Sequence, residues 1–142
     1  MKFDNQMTLV VDAKTKNDSF VRMCVAAFCV ELNPTLSQIN DIKTAVSEAF
    51  TNSVVHGYEN RDDGKVTIAV GLFGKELYVS VIDNGKGIAD IEQARKPFFT
   101  SKPEQERSGM GFTVMETFMD NLVVKSNEGG GLIVHMKKTI GD

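Results

Sequence analysis

Glu48 and Asn52 stand four residues apart in Ser47-Glu48-Ala49-Phe50-Thr51-Asn52-Ser53. On a helix that spacing puts both side chains on one face, beside the apolar stripe. A carboxylate next to a neutral carboxamide suits phosphate chemistry, because the amide oxygen can ligate Mg2+ while the carboxylate accepts a proton from a nucleophile. The same pair would also serve as a solvated helix flank. In Val81-Ile82-Asp83-Asn84-Gly85-Lys86-Gly87-Ile88, Asp83 has the parity of Leu77, Val79 and Val81 and so faces the same interior. A buried carboxylate needs a hydrogen-bond donor, and the exocyclic amine of adenine is one. Asn84-Gly85 is also a hairpin signal, but residues 89–94 do not alternate and look helical, so no returning strand follows. Gly85 and Gly87 then mark backbone that a ligand approaches closely.

A third cluster, Arg107-Ser108-Gly109-Met110-Gly111-Phe112, lies immediately ahead of a helix. Free amides at a helix N-terminus, opened by glycines, form an anion site suited to phosphates. The plainer alternative is a flexible loop ending in an ordinary cap. Between the last two clusters, Pro97 and Pro103 restrict a charged segment whose Lys102 and Arg107 can fold over a nucleotide's phosphates. That segment reads as a lid, or equally as a solvated loop.

The elements that must position these residues follow from periodicity. Residues 7–13 predict a short strand. Asn17 or Asp18 caps a helix running to about Leu32, stopped by Asn33-Pro34. Thr35 or Ser37 caps a second helix to about Val55, with Ile39, Ile42, Val46, Ala49, Phe50 and Ser53 as its inner stripe, and His56-Gly57 closes it. Clean alternation predicts strands over 65–73 and from Leu77 through Val81, joined at Gly74-Lys75. A Gly-, Pro- and charge-rich stretch over 83–111 breaks the pattern, and loops longer than ~12–15 residues are usually functional or disordered. A helix over about 110–119 and strands over 121–126 and 132–138 complete the order. It implies α+β, with helices on one face of a mostly antiparallel sheet. The first helix carries only Arg22 and Glu31 as charges between Phe20 and Leu32, so more than one side of it needs covering. Arg22 is the polar anchor expected at a partner contact there.

The chain has 142 residues, 42% of them hydrophobic and 25% charged, which fits one soluble domain with a substantial core. Its longest apolar run, over 24–30, is far short of the ~20 residues that cross a bilayer. No membrane partner and no secretory leader are expected. Sixteen basic against nineteen acidic residues give a net charge of −3, against broad nucleic-acid binding. Cys24 and Cys29 are too close and too poorly accompanied for a disulfide framework or a metal site, and read as buried hydrophobes in a reducing cytoplasm. No Gly-x4-Gly-Lys-Ser/Thr loop, no Gly-x-Gly-x-x-Gly after a strand and no His-Arg-Asp loop occurs. His56 and His135, the only two histidines, leave little material for a Ser-His-Asp hydrolase.

In order and spacing, these clusters resemble the GHKL ATPases and kinases, the superfamily of gyrase, Hsp90, histidine kinases and MutL. Glu48-x3-Asn52 is similar to their N box, Asp83-x-Gly85-x-Gly87 to the first glycine box and Gly109-Met110-Gly111 to the second. Residues 47–58, 97–103 and 106–112 further resemble the bacterial anti-sigma factor kinases, and the likeness covers essentially the whole chain. The resemblance implies a single domain over 1–142 with the Bergerat fold: a two-layer α/β sandwich whose mostly antiparallel mixed sheet carries helices on one face. It implies a cytoplasmic homodimer that binds ATP or ADP with Mg2+, sequesters a sporulation sigma factor and phosphorylates a serine on an anti-anti-sigma partner.

Carried over by residue, the resemblance makes Glu48 the general base, Asn52 the Mg2+ ligand and Asp83 the adenine anchor. Gly85 and Gly87 would line the pocket, with Thr100, Ser101, Lys102, Arg107, Ser108, Gly109, Met110 and Gly111 around the phosphates. Arg107 would also offset charge during transfer. One departure stands out. A late-strand threonine often assists the adenine aspartate in this superfamily, yet Gly129-Gly130-Gly131-Leu132-Ile133 offers no hydroxyl at Leu132. Either a water takes that role or the correspondence slips there. A stress-response relative, a nucleotide-gated switch without phosphotransfer and a detached histidine-kinase catalytic domain are the alternatives. The last lacks a phosphoacceptor helix around either histidine.

Overall fold

The computed structural model describes residues 2–61, 63–96 and 111–141. Thr100, Ser101, Lys102, Arg107, Ser108, Gly109 and Met110, together with the lid expected around them, lie outside the described residues.

Five strands form one open sheet: β1 (Asn5–Asp12), β2 (Lys65–Phe73), β3 (Glu76–Asp83), β4 (Asn121–Ser126) and β5 (Leu132–Thr139). Their order is β1-β2-β3-β5-β4, and every neighbouring pair is antiparallel. Alternation along the strands divides the sheet into two unlike faces. Val66, Ile68, Val70 and Leu72 of β2, Leu77, Val79 and Val81 of β3, and Leu132, Val134 and Met136 of β5 are all buried. Asp83 ends that inward row in β3, so an acid occupies the last position of an apolar series.

Helices α1 (Asp18–Phe28), α2 (Leu36–Asn52) and α4 (Gly111–Phe118) share the core beneath the inner face, while α3 (Ile91–Ala94) is a single turn. α2 starts from a complete capping box. Thr35 Oγ1 accepts from the Gln38 amide at 3.1 Å, and the Thr35 amide donates to Gln38 Oε1 at 2.9 Å. Gln38 also exchanges hydrogen bonds with the Gly141 backbone, pinning the helix start to the strand end behind it. Its inner side carries Ile42, Ala45, Val46, Ala49 and Phe50, all fully buried. The helix continues past Asn52 as one wide turn of π type, Ser53–Gly57, closed by the Tyr58 amide on the Ser53 carbonyl at 2.9 Å.

α1 is shorter than its apolar run predicts. It gives way at Cys29–Leu32 to a 3-10 turn, and Asn33 caps that turn at φ 56, the left-handed conformation asparagine tolerates. The sheet and α2 cover its Val21, Val25, Ala26 and Cys29 side. The opposite side stays open, with Phe20, Met23 and Val30 each more than half exposed. Cys24 is half-buried and Cys29 buried, both as free thiols, and burial pushes the Cys29 thiol up. Among the described residues no helix is long and apolar enough to cross a membrane.

Replacing Thr35 with Ala removes one cap acceptor and should cost about 1 kcal/mol of stability. Urea unfolding is expected to show a lower midpoint with an unchanged slope; an unmoved midpoint would show that the box contributes nothing.

Candidate functional site around Asp83

Asp83 is 2% exposed, yet its carboxylate is well provided with donors. Oδ1 accepts from the Gly85 amide at 2.9 Å and from the Leu132 amide at 3.3 Å. The Ser53 hydroxyl nearby also favours the charged form of this carboxylate. Burial outweighs these donors and pushes the Asp83 carboxyl above the usual carboxylate range, while Gly85, Ser53 and Leu132 each pull it back. The Asp83 carbonyl accepts from Asn127 Nδ2 at 2.9 Å, which binds the β4–β5 turn to the end of β3.

Three backbone segments crowd this carboxylate, and glycine is what lets them. A Cβ on Gly57 would lie 3.2 Å from both Asp83 oxygens. One on Gly85 would lie 2.2 Å from the Gly57 carbonyl oxygen, which also accepts the Lys86 amide at 2.9 Å. One on Gly131 would lie 2.0 Å from the Asp83 carbonyl oxygen, and Gly131 sits at φ 103. The π turn, the segment after β3 and the β4–β5 turn therefore meet at Asp83. Tyr58 ties two of them together, since its hydroxyl accepts the Asn84 amide at 2.8 Å and donates to the Lys65 carbonyl at 2.7 Å. Gly87 takes φ 73 beside the Gly131 carbonyl. The described residues from Gly87 to Lys96 form no returning strand; Asp90 caps α3 instead, accepting the Gln93 amide at 3.0 Å.

Glu48 and Asn52 occupy successive turns of α2, both half-buried, and Asn52 immediately precedes Ser53. Glu48 faces an open groove of about 340 Å3 between α1 and α2, also lined by Arg22, Asn40, Lys43, Thr44 and Ser47. Asp18 organises one wall: its Oδ2 accepts from Arg22 at 2.7 Å and from the Ser47 hydroxyl at 2.9 Å. Gly111 opens α4, whose Phe112 and Met115 are buried, and an Arg95–Glu116 ion pair links α4 to the end of α3. No group of three or more His, Cys, Asp or Glu side chains suited to a metal occurs among the described residues. Asn52 presents one neutral amide oxygen on α2, a ligand type Mg2+ accepts when phosphate oxygens and water complete its shell.

Gly57, Gly131 and Ser53 are the members that sequence reasoning missed as parts of a site. Gly57 reads as a helix end, Gly131 as the connection between the last two strands and Ser53 as core, so none of them carries a local signal of a site. Leu132 answers the late-strand question differently from a hydroxyl: its side chain is buried in the core and its backbone amide reaches Asp83.

A histidine kinase-like ATPase domain matches residues 12–138, and the chain belongs to that family. Within it, the chain is 54% identical over 135 residues to a protein of Clostridium beijerinckii named anti-sigma F factor, covering 95% of this chain and 94% of that one. It is 53% identical over 141 residues to the anti-sigma F factor of a Thermoanaerobacter species, covering 99% and 98%. The fold is also similar to the RsbU and RsbW domains of a Mycobacterium tuberculosis protein (TM-score 0.67, 20% identity), spanning 96% of this chain and 32% of that one. The catalytic domain of the histidine kinase ThkA gives a TM-score of 0.59 at 16% identity, covering 99% and 98%.

The raised Asp83 carboxyl carries a signed consequence. The native state holds this proton to higher pH than the unfolded chain does, so the stability linked to it is present below the ordinary value of 3.8 and fades as pH rises through the native value. Asp83→Asn should abolish that slope. Unfolding measured from acid to neutral pH is expected to show the variant gaining on the native protein as pH rises; a constant difference would contradict the assignment.

Proposed function

We propose that the chain is an anti-sigma factor of the sigma F type and an ATP-dependent serine/threonine protein kinase. It holds a sporulation sigma factor and phosphorylates a serine on an anti-anti-sigma factor, acting as a cytoplasmic homodimer. The observation that carries this reading is the Asp83 carboxylate. It is buried, held by the Gly85 and Leu132 amides and approached by Gly57, which closes the turn that continues α2, the helix carrying Asn52 and Glu48. The relatives named anti-sigma F factor direct it to this function rather than to another nucleotide-dependent one.

In this reading Asp83 accepts a hydrogen bond from the adenine 6-amine, and the absence of a side chain at Gly57 leaves its carboxylate oxygens open on that side. Bound Mg-ATP supplies the transferable phosphoryl group and the cation that offsets its charge. Asn52 offers its amide oxygen to that cation. Gly111, with Ser108, Gly109 and Met110 before it, presents amides to the phosphates, and Thr100, Ser101, Lys102 and Arg107 close over them. Glu48 accepts the proton of the partner's serine hydroxyl. Its groove between α1 and α2 gives a protein segment access to that carboxylate, with Arg22 and Lys43 supplying positive charge along the wall. The open Phe20, Met23 and Val30 side of α1 beside Arg22 supplies apolar surface for a partner.

Glu48→Ala should abolish transfer of radiolabel from ATP to the anti-anti-sigma factor while sparing ATP binding by calorimetry. An undiminished transfer rate would remove Glu48 as the base, whereas a native chain that transfers no label would leave a nucleotide-gated binder without phosphotransfer. Arg22→Glu should weaken sigma-factor co-purification at least tenfold with the melting temperature little changed; full retention would exclude Arg22 from the contact.

A further inference from the structure

We propose that Lys138 is a positioning residue for phosphoryl transfer, holding α4 against α2 so that the Gly111 amide meets the phosphates on which Asn52 and Glu48 act. The inference rests on the reading of Gly111, Asn52 and Glu48 as phosphate, Mg2+ and proton contacts, and adds to it the residue that sets one helix against the other.

Lys138 is the last inward position of β5, after Leu132, Val134 and Met136. Alternation separates it from its neighbour in sequence, since Lys137 lies on the other face and pairs with Glu76 at 2.9 Å. Lys138 is 9% exposed, and a lysine is almost never so buried unless its ammonium has partners. It stands opposite Leu77 in the sheet, whereas Asp83 lies beyond the Ile82–Ile133 pair. The inner face therefore carries an acid at one end and a base at the other.

The Lys138 ammonium joins two helices at once. Nζ donates to the carbonyl of Phe118, the last residue of α4, at 2.6 Å and stands 3.7 Å from Asp41 Oδ2 on α2. The last carbonyls of a helix have no partner within it, and a cation there also meets the negative end of the helix dipole. The residue after α4 is tied to the same strand end. The Asp120 amide donates to the Lys137 carbonyl at 2.9 Å, and Asp120 Oδ2 accepts the Thr139 amide at 2.6 Å. α4 packs on α2, and its short length puts Gly111 about 10 Å from Phe118. A small rotation about the Phe118 end therefore displaces the first turn, and misplacing a contact by about 1 Å can cost roughly a hundredfold in rate. Asp41 belongs to the helix that carries Glu48 and Asn52, so one ammonium fixes both halves of the phosphate chemistry. An apolar side chain of the same length would fill the space and hold neither helix.

The test is isothermal titration of the full chain, of Lys138→Met and of Asp41→Asn with Mg-ATP and with adenosine. Label transfer at saturating ATP and thermal melting are recorded in parallel. Lys138→Met is expected to lose about tenfold in both ATP affinity and transfer rate, while binding adenosine within about twofold of the native chain. Asp41→Asn keeps the Lys138–Phe118 bond and should shift the ratio of ATP to adenosine affinity in the same direction by about threefold. An unchanged ratio in Lys138→Met, or in Asp41→Asn should the first variant not fold, would mean a merely structural lysine and would overturn the proposal, whatever the loss of stability. A native chain that binds adenosine as tightly as Mg-ATP would instead overturn the reading of Gly111 and Asn52.

Discussion

The hydrogen-bonded burial of Asp83 constrains more of this molecule than any other single feature. An acid at the inward end of β3 is tolerable only if donors surround it, and those donors come from separate parts of the chain. Bringing three backbone segments to one carboxylate demands positions without side chains; Gly85 and Gly131 answer that demand at distances no Cβ could share, and Gly57 at one a Cβ would fit only tightly. The arrangement still leaves burial ahead of the donors, so the carboxyl stays raised. A site held in that state gains from one more donor, and a ligand amine is such a donor.

α2 couples this anchor to the rest of the candidate site. One end is set by the Thr35–Gln38 box and by the Gly141 backbone. Its middle is fixed by fully buried Ile42, Val46 and Phe50. Its far end widens into the π turn that delivers Ser53 and Gly57. Glu48 and Asn52 ride on the same rigid element, so their separation from each other and from Gly57 is set by helix geometry rather than by a loop. The groove beside Glu48 depends on α1 in turn. Asp18 on α1 binds Arg22 on its own helix and Ser47 on α2, and this cross-link spaces the two helices at the groove.

The fold was largely legible before any coordinates. Strand alternation over 65–73, 121–126 and from Leu77 onward, the Thr35 cap, and the failure of 89–94 to alternate are local signals, readable within a few residues. Helix α1 departs from local reading at its end, which falls at Phe28 with a 3-10 turn beyond it. Its apolar run with few charges implied that more than one side needs cover, and the sheet and α2 reach only the Val21 to Cys29 side, leaving Phe20, Met23 and Val30 in the open. How many neighbours a helix meets is a property of the packed layers and leaves no trace in its own periodicity.

The candidate site divides along the same line. Glu48, Asn52, Asp83, Gly85 and Gly87 were found from the sequence because helical spacing, strand parity and glycine pairs are short-range patterns. Gly57, Gly131, the Leu132 amide and the Ser53 hydroxyl were not, since each acquires its role from a contact with a distant part of the chain. The residues themselves decided which chemistry was available: a carboxylate–carboxamide pair, an inward acid and glycine-bared backbone. Only tertiary packing decided which groups meet at Asp83, because the cost of burying a charge is settled by whatever donors the folded layers bring within hydrogen-bond reach.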